Sequence, residues 1–315
     1  MNETTALARL DDADACHDAD PQRAAALLRE IDPSALPAER LPGLAFLLNH
    51  VLGEKLDDWP AAHARQAALL KAAGAAPLAV LWRQAAAAAH AAGRADDARR
   101  LCASFAEATG STPQRAGDVV ALTVAMYRVP ILAPSAAAEC AQTALGAFGD
   151  AAAAWQAPGA LDAAVAACAN NIASGLVERP ADELAREPLR SAVQLAAQVA
   201  ERFWLRAGNW VHHERAAYLR AMVGNALGDA AAARGHALRA LALLDANDTA
   251  DAEKVDRAFI ELERAHACRA LALGAEADAA QARAEAIAAG FGDASLDDWF
   301  ARRRAALAAL AARSG

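Results

Sequence analysis

The stretch AVLWRQAAAAAHAAGRADDA, residues 79–98, decides the fold class. Alanine dominates it, and alanine has the highest intrinsic helix propensity because its side chain loses no rotamer entropy. Gly93 interrupts the run where one helix must end and the chain reverse, a place where glycine tolerates the left-handed backbone. Counted from Ala79, Trp82, Ala86, Gly93 and Ala98 stand at positions 4, 8, 15 and 20. Small residues at 8 and 20 let two helices cross closely, and glycine at 15 closes the turn between them.

The same reading extends outward. Of the 315 residues 56% are hydrophobic but only 5% aromatic, and the excess is alanine. β-branched residues never gather into alternating runs, so the chain reads as all-α with close helix packing. Helices are predicted in pairs: 3–17 with 20–31, 37–54 with 58–74, 78–92 with 95–109, and 115–132 with 135–148. Further pairs are 160–178 with 188–205, 209–227 with 230–245, and 252–273 with 276–289, followed by a last helix over 295–313. Pro21, Pro77, Pro134 and Pro188 fall at or near helix starts, where the missing N–H costs nothing. Gly228 and Gly274 are predicted to close turns as Gly93 does. The chain reads as one array, with 149–160 as the best candidate for a subdomain boundary between 1–148 and 161–315. Trp155 in that segment is either an exposed contact residue or packed over a groove.

Two further segments repeat the pattern. From Glu214, Ala221, Gly228, Ala233 and Ala240 fall at positions 8, 15, 20 and 27; from Ile260, Ala267, Gly274, Ala279 and Ala286 do. This arrangement resembles the tetratricopeptide-repeat superfamily, in which position 4 carries Trp, 8, 20 and 27 are small, and 15 is the turn glycine. The spacing differs from the family's 34 residues, since 274 − 228 = 46 and 228 − 93 = 135. The resemblance therefore implies an irregular α-solenoid of about seven antiparallel helix pairs. A C-terminal helix would shield the last apolar surface; its alternative role is dimerisation.

Function follows from the resemblance as an expectation. The family lines its concave groove with positions 2, 5, 9 and 12 of the first helix of each pair. The implied groove residues are Arg83 and His90; Arg215, Tyr218, Met222 and Asn225; and Glu261 and Arg264. Asn170 and Asn171 interrupt an apolar helix, which asparagine disfavours. They either face the groove to hydrogen-bond an extended peptide or are satisfied by a neighbouring helix. The implied activity is protein or peptide binding, with Arg83, Arg215 and Arg264 meeting acidic groups. The alternatives are a ligand-sensing regulator and a metal-dependent enzyme on a helical scaffold.

Chemistry is sparse by comparison. The chain has neither a phosphate loop nor a GxSxG nucleophile elbow. His212, His213 and Glu214 are a metal-ligand set in type. Adjacent helical residues point about 100° apart, so the two imidazoles cannot grip one ion from a regular helix. No cofactor is expected. The five cysteines form no CxxC pair, which fits free thiols in a reducing compartment. Net charge is −8, with Arg302-Arg303-Arg304 the densest basic run, so nucleic acid is not expected as a partner. No signal peptide and no run of about 18 apolar residues is evident. A cytoplasmic monomer or homodimer is the expectation.

Overall fold

The computed structural model describes residues 2–74, 77–149 and 155–314. It is all-α: sixteen α-helices and no β-strand occur among the described residues. The chain folds into two compact units, Met1–Ala133 with Ala152–Leu161, and Pro134–Ala151 with Asp162–Gly315.

The first unit holds α1 (Glu3–Cys16), α2 (Pro21–Glu30), α3 (Leu41–Leu47), α4 (Trp59–Ala72), α5 (Ala79–Ala91), α6 (Ala95–Thr109) and α7 (Pro113–Arg128). Polar caps start many of them. The side chains of Asn2, Asp20, Asp58 and Thr112 accept from the backbone N–H groups of Thr5, Arg23, Ala61 and Arg115. Each satisfies a donor that the helix leaves unpaired. The predicted helix 37–54 is more irregular than expected. A 3₁₀ turn precedes α3, which continues into a π-helix over Leu48–Lys55. Gly53 is required there, because a Cβ would meet the Trp59 ring at 2.5 Å. Helices α1, α3, α5 and α7 alternate with α2, α4 and α6. Each packs on a sequence neighbour, and α5 also packs on α3 and α7.

The second unit holds α8 (Pro134–Gly146), α9 (Asp162–Val177), the short α10 (Ala181–Leu184), α11 (Leu189–Ala207), α12 (Trp210–Ala226), α13 (Ala230–Asn247), α14 (Lys254–Ala270), α15 (Gly274–Ala288) and α16 (Ala294–Ser314). Hairpins α12–α13 and α14–α15 pack as pairs, as do α9 and α11. In addition α9 packs on α12, α12 on α14, and α14 on α16. The chain changes unit after Ala133, so α8 packs on α11 rather than pairing with α7. Of the predicted boundary segment 149–160, residues 150–154 lie outside the described residues. Trp155 is buried, with the Arg115 guanidinium 4.3 Å from its ring centre.

The small positions behave as expected in two segments and only in part in the third, where Ala267 is fully buried as predicted. Gly93 and Gly228 carry φ of +72° and +78°. Ala86, Ala221, Ala233 and Ala240 are fully buried, and Ala233 meets Gly224 where α12 and α13 cross. Gly274, by contrast, is the first residue of α15, and Ala272 takes the left-handed turn at φ +58°. Ala279 and Ala286 are exposed, whereas Ala265, Ala277 and Ala284 are fully buried. The burial of Ala265, Ala277 and Ala284 fits a segment that begins at Ala258, two residues before Ile260. The glycine misled because a turn residue with positive φ is most often glycine; here alanine accepts that strain.

Candidate functional site

The α12–α14 seam carries the buried polar residues Glu214, Asn225 and Glu263. Asn209 caps α12: its Oδ1 accepts from the His212 backbone N–H at 3.3 Å, and the His212 ring reaches back to the Asn209 N–H. This orients Glu214 inward, where its side chain is fully buried. No N–H or O–H donor reaches either Glu214 oxygen. Its carboxylate neighbour is Asp256, and burial with Asp256 nearby pushes the Glu214 pKa up to about 8. Loss of water and the nearby Asp256 charge both disfavour a second negative charge here and favour the protonated form of Glu214. Arg215, the next residue, bonds Asp256 at 2.7 Å and Glu253 at 2.9 Å, clamping α12 to the start of α14.

Further along the seam Asn225 donates to the Glu263 main-chain carbonyl at 3.0 Å and to its carboxylate at 2.7 Å. Arg303 of α16 donates to the other carboxylate oxygen at 2.6 Å. Glu263 is fully buried and Arg303 nearly so. Tyr218 packs among these groups, and burial followed by Glu263 holds its hydroxyl well above the ordinary range.

On the opposite side of α14 lies a cleft of about 340 Å³ between α13, α14 and α15. Two residues along a helix turn the side chain by about 200°, so Glu261 points away from Glu263 and into this cleft. Leu238, Leu241 and Ala242 form its apolar side, and Arg257, Arg264 and Arg283 line the rest with Asp245 and Glu261. Arg283 bonds Glu261 at 2.7 and 3.2 Å, and Arg264 bonds it at 3.4 Å. Arg257 pairs with the exposed Asp245 at 2.7 Å.

The implied groove residues are thus dispersed. Arg215, Tyr218 and Asn225 are in the seam, committed to α14 rather than presented to a ligand. Met222 is half-buried on α12. Glu261 and Arg264 face the α13–α15 cleft. Phe259 and Leu262 of α14 pack in one cluster with Phe300 and Leu307 of α16. Arg83 and His90 belong to the first unit, where Arg83 lies 3.5 Å from the Thr123 hydroxyl and His90 is exposed. Asn170 and Asn171 adjoin one another on α9, half-buried and exposed. His212, His213 and Glu214, the metal-ligand candidates of the sequence, are not among the groups of described residues whose ligand atoms lie within 4.8 Å of one another. His212 is spent on the cap and lies against Trp204, with ring centres 4.3 Å apart. Sequence reasoning missed Arg257, Arg283 and Leu238, which only the helix pairing brings together.

No protein-family model matches the chain, and no curated protein matches its sequence. Among the described residues no helix is long and apolar enough to cross a membrane.

Proposed function

We propose that this chain is an interaction protein, similar in plan to tetratricopeptide-repeat proteins. Its α13–α15 cleft takes a partner-protein segment that presents acidic and apolar side chains. The carrying observation is the convergence of Arg257, Arg264 and Arg283 beside Leu238, Leu241 and Ala242. Three arginines face two carboxylates there, leaving one positive charge in excess. Arg264 and Arg283 are fixed by the buried Glu261, so little ordering is needed on binding. Arg257 holds only an exposed carboxylate, a pairing of about 0–1 kcal/mol, and exchanges it readily for an incoming one.

The repeat-like plan supports this reading. In the second unit hairpin α12–α13 packs on α14–α15, and their first helices α12 and α14 also touch. With the third segment begun at Ala258, the turn residues Gly228 and Ala272 are 272 − 228 = 44 residues apart, longer than the family's 34. The concave positions of α14 become Phe259, Leu262, His266 and Arg269. Because α16 packs on the first two, binding is assigned to the cleft on the other side.

Selection of displayed peptides on the intact protein tests this. Selected peptides should be rich in Asp, Glu and large apolar residues. Ala242→Trp, which fills the cleft from an exposed helix position, and Arg257→Gln should each weaken them at least tenfold with native circular dichroism. Peptides that bind both variants as tightly as the wild type would remove the cleft from consideration.

A further inference from the structure

We propose that His17, Asp18 and His50 in the first unit form a binding site for a first-row divalent cation of the zinc class, independent of the cleft. His17 ends α1, Asp18 follows it in the turn to α2, and His50 lies on the π-helix Leu48–Lys55. One ligand atom from each gathers within 4.8 Å of the others. His17 Nε2 is 3.5 Å from Asp18 Oδ2, and His50 Nε2 is 3.8 Å from Asp18 Oδ1. These separations are longer than good N–H···O hydrogen bonds. They are close to the roughly 3.3 Å between ligands on a tetrahedral ion with bonds of about 2.0–2.1 Å.

The outer contacts fit the same purpose. His50 Nδ1 bonds Glu54 Oε2 at 2.7 Å, and His17 Nδ1 bonds the Asp14 main-chain carbonyl. An Nδ1–H donated to a carboxylate or carbonyl fixes the tautomer that leaves the Nε2 lone pair for a metal. Both histidines therefore turn their lone pairs toward Asp18. Phe46 stacks on the His50 ring with centres 5.4 Å apart, holding its orientation. The π-helix is a further pointer, because such segments recur at functional sites. Lys55 Nζ sits 3.0 Å from Asp18 Oδ1 and supplies a positive charge where the ion would supply one. Two imidazoles and one carboxylate leave a fourth position for water, and Asp18 is solvent-exposed, which gives the ion a way in.

Titration of the intact protein with Zn²⁺ by calorimetry, and with Co²⁺ by visible absorption, tests the site. One saturable equivalent is expected, with Co²⁺ developing the d–d bands of a low-coordinate nitrogen–oxygen site. His17→Ala and His50→Ala should each weaken binding at least tenfold. Glu54→Gln should weaken it about 10–100-fold, as loss of an outer-shell partner does. Lys55→Ala should tighten it several-fold, a gain that an unfolded variant cannot produce. Absence of saturable binding, or wild-type affinity in the His17→Ala/His50→Ala double variant, overturns the proposal. So does a site that Cys16→Ser abolishes while His50→Ala leaves it intact.

Discussion

Asn225 donates to both the main-chain carbonyl and the side-chain carboxylate of Glu263, and Asn49 makes the same pair of contacts to Gln84 at 2.9 and 2.8 Å. In each case a residue of a later element completes the joint: Arg303 on Glu263, and the Tyr127 hydroxyl on the Gln84 side chain at 2.9 Å. The two joints are in different units, so one device for locking neighbouring helices is used twice. All its members but the nearly buried Arg303 are buried, and each would be costly to leave unpaired.

Asn225→Ala should therefore lower stability by about 2–3 kcal/mol, because it removes two buried hydrogen bonds, one to a charged group. Urea unfolding monitored by circular dichroism measures it. A loss below about 0.5 kcal/mol would mean that the joint is ornamental.

Glu214 makes stability depend on pH. The folded carboxyl keeps its proton up to about pH 8, against 4.5 for an ordinary glutamate. The folded state then holds more protons than the unfolded one between those values. Its stabilising share is complete below pH 4.5 and is lost progressively as pH rises toward 8. Glu214→Gln is uncharged at every pH. Its melting temperature should match wild type near pH 5 and exceed it near pH 8.5. Parallel curves for the two proteins would contradict the protonated carboxyl.

Arg215→Glu should destabilise the second unit by about 1–2 kcal/mol, from two partly exposed ion pairs lost and a carboxylate added beside Glu214, Glu253 and Asp256. The loss should shrink in high salt. A surface free to bind a ligand would tolerate the change without loss of stability, and thermal melts at two salt concentrations distinguish the cases.

Ala272 and Gly228 occupy equivalent turns, both left-handed. Ala272→Gly should stabilise the protein by about 1 kcal/mol and Gly228→Ala destabilise it by a similar amount. Gly274→Ala, inside α15, should be neutral or stabilising. Opposite signs at 272 and 274 would restore the segment that starts at Ile260.

Helix positions were legible because their signals are local: alanine runs, turn glycines such as Gly93 and Gly228, and prolines at first turns such as Pro21 and Pro134. Register was not legible in α14–α15, where several alanines lie at competing spacings and only burial distinguishes Ala277 and Ala284 from Ala279 and Ala286. The cleft was hidden for a related reason. Arg257 and Arg283 are far apart in sequence, and each reads as an ordinary solvated charge. Arg303 resembled its neighbours in a basic run, yet it alone is buried on Glu263, whereas Arg302 is exposed. The His17–Asp18–His50 gathering depends on a π-helix that no periodicity announces.

Whether the α13–α15 cleft receives a partner segment is tested most directly by photo-crosslinking in native-host lysate. The crosslinking amino acid is placed at Ala242, in the cleft, and at Ala308, on an exposed face of α16. A discrete crosslinked product is expected from position 242, absent from position 308 and lost when Arg257→Gln is added. No product at 242, or the same product from both positions, would contradict binding in the cleft.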